Sequence, residues 1–142
     1  ELGIDMVSIC GAASDATMSA GIAQARINGV KVVADLCGVR APVERARQLL
    51  ELDVDGIYLH YGWDEFAADP DGDPTLEQLV KVRELTDLPL GIVTPGIEMA
   101  EDAVGAGADV LLVGHPFLLG DDAEAQLTEY VERVRAAAAA HA

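Results

Sequence analysis

Lysine is almost absent. The 142 residues hold two, Lys31 and Lys81, and seven scattered arginines, against 25 acidic residues, for a formal charge of -16. A phosphate backbone is gripped by clustered cations, so this poverty excludes a nucleic-acid binder. Cysteine is scarce as well: two residues, Cys10 and Cys37, leave no disulfide framework. No uncharged apolar run reaches the roughly 18 residues of a membrane span, and no basic-then-apolar leader opens the residues given. The expectation is a protein of the reducing cytoplasm, with neither a membrane nor nucleic acid as partner. A Gly-x-Gly-x-x-Gly after the first strand is also missing, since Cys10-Gly11-Ala12-Ala13-Ser14 stands there, which argues against a Rossmann fold.

What is present is apolar enough for a core: 51% of residues are hydrophobic, and mean hydropathy is +0.23. Asp (14) exceeds Glu (11) on a nearly lysine-free background. Such a surface repels itself at low ionic strength and is screened in brine, where the Debye length is about 3 Å at 1 M salt. A halophilic source is expected; an acidic protein of a GC-rich mesophile is the alternative.

Three segments repeat: Glu1 to Ile9, Glu51 to Leu59 and Gly105 to Val113, each a helix tail, a turn carrying Asp5, Asp55 or Asp109, and a short apolar strand. Val30 to Leu36 and Leu90 to Val93 add two β-branched runs bounded by Gly or Pro. Helical periodicity covers Asp15 to Asn28, Ala41 to Leu52, Pro74 to Leu85, Glu98 to Val104 and Asp122 to Ala140. Start and stop signals include Asp15 as N-cap, Pro42 and Pro74 in first turns, and Asn28-Gly29 at a C-terminus. Strict alternation of buried strands and amphipathic helices specifies an α/β fold with a parallel sheet. The spacing fits a (β/α)8 TIM barrel, which needs about 200 residues or more. Residues 1–142 are therefore expected to be a single domain or the C-terminal portion of one barrel, strands four to eight. A longer protein cut or split upstream is expected ahead of a half-barrel closed by a partner chain.

In a barrel, chemistry sits where strands end. Asp35 closes Val30-Lys31-Val32-Val33-Ala34, where an unpaired carboxylate is costly; it caps a loop amide or serves the site. His60 ends Gly56-Ile57-Tyr58-Leu59 and is a candidate proton carrier near neutral pH. Thr94-Pro95-Gly96 and Gly114-His115 are turns whose backbone amides can approach an anion, at the two loops where barrels commonly hold phosphate. Cys10 and Cys37 are expected to be packing residues, and no cluster of metal-ligand spacing is present. Asp69-Pro70-Asp71-Gly72-Asp73 lacks the glycine and glutamate of a calcium loop, having Pro74 and Val80 at those positions, so it is expected to be a solvated loop. Trp63 either covers the site or packs, with packing expected.

Val32-Val33-Ala34-Asp35-Leu36-Cys37-Gly38, Ile57-Tyr58-Leu59-His60-Tyr61-Gly62-Trp63-Asp64-Glu65 and Gly105-Ala106-Gly107-Ala108-Asp109-Val110-Leu111-Leu112-Val113-Gly114 together resemble the 3-hexulose-6-phosphate synthases of the orotidine 5'-monophosphate decarboxylase superfamily. The resemblance implies a homodimeric barrel that takes a sugar phosphate and Mg2+, and condenses formaldehyde with ribulose 5-phosphate or reverses that step. It implies that Asp35 lies near a catalytic lysine, that His60 carries a proton, and that Gly96 and Gly114 hold phosphate, with Thr94 and His115 beside them. The decarboxylases that act on 3-keto-L-gulonate 6-phosphate have arginine three residues after the histidine; Trp63 stands here, which points to the synthase branch. They also have arginine where His115 stands, and Thr94-Pro95-Gly96 resembles the decarboxylase that makes uridine monophosphate. The family's Asp-x-Lys-x-x-Asp and its first-strand magnesium carboxylates have no counterpart in these residues. They are expected upstream or on a chain supplying the first strands, so this chain taken alone is not expected to catalyse the reaction. A non-catalytic half-barrel that binds phosphate is the alternative.

The charge imbalance yields a direct expectation. The melting temperature should rise between low salt and molar KCl as carboxylate repulsion is screened; a flat or falling dependence in a salt series followed by circular dichroism would remove the halophilic expectation.

Overall fold

The computed structural model describes residues 3–69, 71–114 and 117–141. Five strands, β1 (Met6–Cys10), β2 (Lys31–Asp35), β3 (Gly56–Leu59), β4 (Leu90–Val93) and β5 (Val110–Leu112), form one parallel sheet in sequential order. Six helices follow or connect them: α1 (Asp15–Ile27), α2 (Pro42–Leu50), α3 (Trp63–Ala68), α4 (Thr75–Arg83), α5 (Ile97–Gly105) and α6 (Ala123–His141). The α/β class and all five expected strands are present. The start of the first repeat, Glu1 and Leu2, lies outside the described residues.

Local signals set the helix ends. Ser14, not Asp15, is the N-cap of α1, its hydroxyl accepting from the Thr17 amide at 3.2 Å. Asn28 closes that helix and Gly29 takes φ +68°, the left-handed turn that favours glycine. Pro74 lies just before α4, whose first amide is held by Asp73 Oδ1 at 2.8 Å. Helix α3 is a correction, because six residues are too few for a periodic signal. Glu65 fixes its start by accepting from the Gly62 amide at 2.9 Å.

One face of the sheet is covered. Val32, Ala34, Ile57, Leu59, Leu90 and Ile92 point to the helices and pack with Met18, Leu49, Leu79 and Val82, all at most 0% exposed. Burying such side chains contributes about 1.5–3 kcal/mol each. Alternation sends the intervening residues to the other face: Met6, Ser8 and Cys10 on β1, Asp35 on β2, Tyr58 on β3, Val93 on β4. Register aligns Cys10 with Asp35, Asp35 with Tyr58, and Tyr58 with Gly91. The apolar side chains of β1 and its approach remain exposed, Ile4 at 53%, Met6 at 43% and Val7 at 41%.

The repeated aspartates have a mechanical role. Asp55 accepts both Arg26 Nη1 contacts at 2.8 Å and the Val32 amide at 2.7 Å. Asp109 pairs with Arg83 and accepts the Leu90 amide at 2.9 Å. Each carboxylate thus fastens the start of the strand before it to the end of the helix that leads into that strand. Burial works against the Asp55 anion, but the Val32 amide and Arg26 outweigh it and hold its carboxyl below the ordinary range.

Gly56 is required by packing, since a Cβ there would lie 2.8 Å from the Pro89 carbonyl oxygen. Gly56→Ala should cost about 1–3 kcal/mol in urea denaturation; unchanged stability would show that the β3–β4 spacing can relax.

Candidate active site at the strand ends

Asp35 and His60 end neighbouring strands on the uncovered face, and the fold brings them together. His60 Nδ1 lies 3.2 and 3.3 Å from the two Asp35 oxygens, and Asp35 Oδ1 also accepts the Cys37 amide at 3.0 Å. Asp35 is therefore a loop-amide acceptor, one of the two readings its sequence allowed, and also the partner of His60, a pairing the sequence did not announce. The pair is half-buried, with side-chain exposures of 28% and 30%.

The hydrogen bond to Asp35 is the main cause that raises His60 above its ordinary 6.5; burial opposes it, and Glu65 and Asp73 add further negative potential. Burial pushes the Asp35 carboxyl up, but His60 and the Cys37 amide win and hold it below its ordinary 3.8. Three carboxylates thus surround one imidazole.

Grooves open on His60 from several sides. One of about 550 Å3 is lined by His60, Trp63, Val93, Leu112, Val113 and Gly114. A smaller cavity of about 70 Å3 adds Phe66, Asp73 and Pro95. Trp63 stacks on Phe66 with ring centroids 5.6 Å apart and is 50% exposed, so it packs and walls the site at once. A third cavity, about 160 Å3, joins His60 to Arg40, a cation that sequence reasoning passed over because its loop carries no motif. Arg45 was also missed. Its guanidinium reaches the carbonyls of Gly11 and Ala13 at 2.8 Å and Asp15 at 2.6 Å, fixing the loop after β1.

The glycine turns differ from Gly56. Gly96 precedes α5 in extended backbone, and neither there nor at Gly114 would a Cβ meet anything within 4 Å. The chain's own packing does not demand glycine at either position. Thr94 is placed otherwise than expected. It shares the parity of Leu90 and Ile92, so its side chain enters the helix-covered layer, 1% exposed, and bonds Tyr130 at 2.7 Å. Its amide donates to Leu112 O at 2.9 Å. Both Thr94 donors are thus engaged within the protein, although the residue lines the small cavity beside Pro95. His115 lies outside the described residues.

Cys10 is a further correction: it is exposed on the uncovered face beside Asp35, not packed. Cys37 is half-buried, and burial together with the Asp35 charge pushes its thiol up. Asp73 of the acidic loop caps α4 through Thr75. Among the described residues no three His, Cys, Asp or Glu side chains converge on a point that could hold a metal, and no helix is long and apolar enough to cross a membrane.

The crystal structure of 3-hexulose-6-phosphate synthase from Salmonella typhimurium superimposes with a TM-score of 0.79 at 25% identity, over 99% of this chain and 64% of that one. The 3-keto-L-gulonate-6-phosphate decarboxylase of Vibrio cholerae shares the fold, with a TM-score of 0.71 at 16% identity over 94% of this chain and 62% of that one. The fold is that of the TIM-barrel enzymes of the orotidine 5'-monophosphate decarboxylase type. By sequence, 3-hexulose-6-phosphate synthase 1 of Staphylococcus saprophyticus is 32% identical over 124 residues, 86% of this chain and 58% of that protein. The chain is thus a relative of the 3-hexulose-6-phosphate synthases and spans a little under three fifths of the length of that relative. No family model matches it.

The dyad has a pH signature. His60 is raised on folding, so its contribution to stability is complete below 6.5 and is lost as pH rises through its folded value. Asp35 is lowered, so its contribution is complete above 3.8 and is lost as pH falls through its folded value. Asp35→Asn should bring the His60 titration, followed by NMR of its Cε1 proton, down to or below 6.5; an unmoved midpoint would show that Asp35 does not hold the imidazolium.

Proposed function

We propose that the protein is a sugar-phosphate aldolase which joins formaldehyde to ribulose 5-phosphate to give 3-hexulose 6-phosphate, or cleaves that product. The observation that carries this reading is the Asp35–His60 pair at the strand ends, in a chain whose sequence relatives are the synthases. Loss of a proton from the carbon beside the ketose carbonyl gives an enediolate, that carbon attacks formaldehyde, and the new alkoxide takes up a proton. His60 moves a proton at Nε2, because Asp35 occupies Nδ1 and orients the ring. Backbone amides at Gly96, ahead of α5, and at Gly114 receive the phosphate. Trp63 and Phe66 shield the reacting end.

Magnesium is implied by the resemblance, but the described residues do not fit it. Asp35 is engaged by His60 and the Cys37 amide, and no third ligand converges. No step here runs through the ion. Its ligands, the lysine and a large share of the positive charge that a phosphorylated substrate needs beside Asp35, Glu65 and Asp73 are assigned to strands other than these five.

The exposed β1 edge favours a second reading for the chain by itself. Ile4, Met6 and Val7 invite further strands, supplied by the same polypeptide, by a second copy in a homodimer, or by another chain. A half-barrel of this kind would bind phosphate without turning over. The intact mass separates these: about 200 residues or more carrying Asp-x-Lys-x-x-Asp supports the enzyme, whereas 14.9 kDa requires a partner chain.

In the intact protein, formaldehyde-dependent consumption of ribulose 5-phosphate should fall about 10²–10⁴-fold in Asp35→Asn and His60→Ala, with the fold retained by circular dichroism. Near-normal turnover in both would end the role assignment. Turnover of 3-keto-L-gulonate 6-phosphate or orotidine 5'-monophosphate in place of the aldol reaction would move the protein to a decarboxylase branch.

A further inference from the structure

Thr94 and Tyr130 form a buried pair that the chemistry above does not use. Their hydroxyls are 2.7 Å apart, at 1% and 4% exposure, 36 residues apart in sequence. Each hydroxyl is costly to bury unpaired; Tyr130 is the close partner of the Thr94 hydroxyl, which also reaches the Leu112 carbonyl at a longer 3.5 Å. Thr94 begins the turn to Gly96, and its amide binds the carbonyl of Leu112, two residues before Gly114. Tyr130 reaches the second turn as well. Its ring meets Phe117 at 5.7 Å between centroids, and the Leu118 amide closes that segment onto the Gly114 carbonyl at 2.9 Å. Phe117 in turn lines a groove with Pro95 and Gly96. One helical turn beyond Tyr130, Arg133 grips Glu101 of α5 at 2.6 and 2.7 Å, so α6 is anchored on the helix that Gly96 opens.

We infer that Tyr130 is a positioning residue: through Thr94 and Phe117 it sets the spacing of the Gly96 and Gly114 turns, and hence the affinity of the site for a phosphoryl group. This rests on the proposal that those turns receive phosphate. A buried hydrogen bond behind the two turns thereby governs an anion site at the strand ends. Gly96 and Gly114 carry no side chain that could fix their separation. A phosphate bound by amides from two loops tolerates little change in that separation.

The test is the Kd for inorganic phosphate, measured by calorimetry on the intact protein, beside the melting temperature. Tyr130→Phe and Thr94→Val should each weaken phosphate binding about five- to tenfold, the scale of leaving one buried hydroxyl unpaired. The double variant should be no weaker than the weaker single one, because both remove the same bond. Thr94→Ser, which keeps the hydroxyl, should restore near wild-type affinity. Unchanged phosphate affinity in Tyr130→Phe and Thr94→Val, whatever happens to the melting temperature, would overturn the inference and reduce the pair to packing. Additive losses in the double variant would also overturn it. Absence of phosphate binding by the unsubstituted protein would overturn the phosphate assignment and this inference together, an outcome distinct from normal binding that ignores the variants.

Discussion

Helices cover the sheet on one face only, and the two-residue alternation of its strands distributes every side chain accordingly. Val32, Ala34, Ile57, Leu59, Leu90 and Ile92 fall to the covered side and make the core, while Asp35, Tyr58 and Val93 fall to the other. A slip of one residue in β2 would bury Asp35 and expose Val32. The candidate site thus exists because the residues the core rejects arrive together at the strand ends. The same parity accounts for Thr94: two residues before Gly96, it belongs to the core side, and its hydroxyl must find Tyr130 instead of a ligand.

Positive charge is used sparingly in this protein, and its placement follows from that. Arg26 and Arg83 repeat one device, gripping Asp55 and Asp109 so that each carboxylate can also hold a strand-opening amide. Arg45 secures the loop after β1, and Arg133 ties α6 to α5. Scaffold duties consume these cations. Arg40 alone of the arginines named shares a cavity with His60, while Asp35, Glu65 and Asp73 all favour the imidazolium. Such a site keeps its histidine protonated to higher pH than usual.

Glycines separate into two kinds by what surrounds them. Gly56, Gly11 and Gly21 are filled in by neighbours, the Pro89 carbonyl, Leu36 and Ile9 respectively, so their small size serves packing. Gly96 and Gly114 face open space, and no packing reason inside the chain accounts for them.

Strand number, strand order, the placement of every helix but α3 and the strand-end positions of Asp35 and His60 were legible in the residues alone, because short apolar runs between turn signals mark buried strands and barrel chemistry sits at their ends. The repeated aspartates were visible as a pattern but not as clamps, since their partners lie 26 to 29 residues away. Helix α3 was too short to announce itself, and Tyr130, deep in an alanine- and glutamate-rich helix, carried no motif. Cys10 reads as a core residue until β1 is seen at the sheet edge with its side chains uncovered. Local sequence determines periodicity, turns and which residues want burial, because those depend on neighbours in the chain. Which carboxylate meets which imidazole, and which hydroxyl is engaged within the protein, was decided only by strand register and parity, because these pairings join residues far apart in sequence.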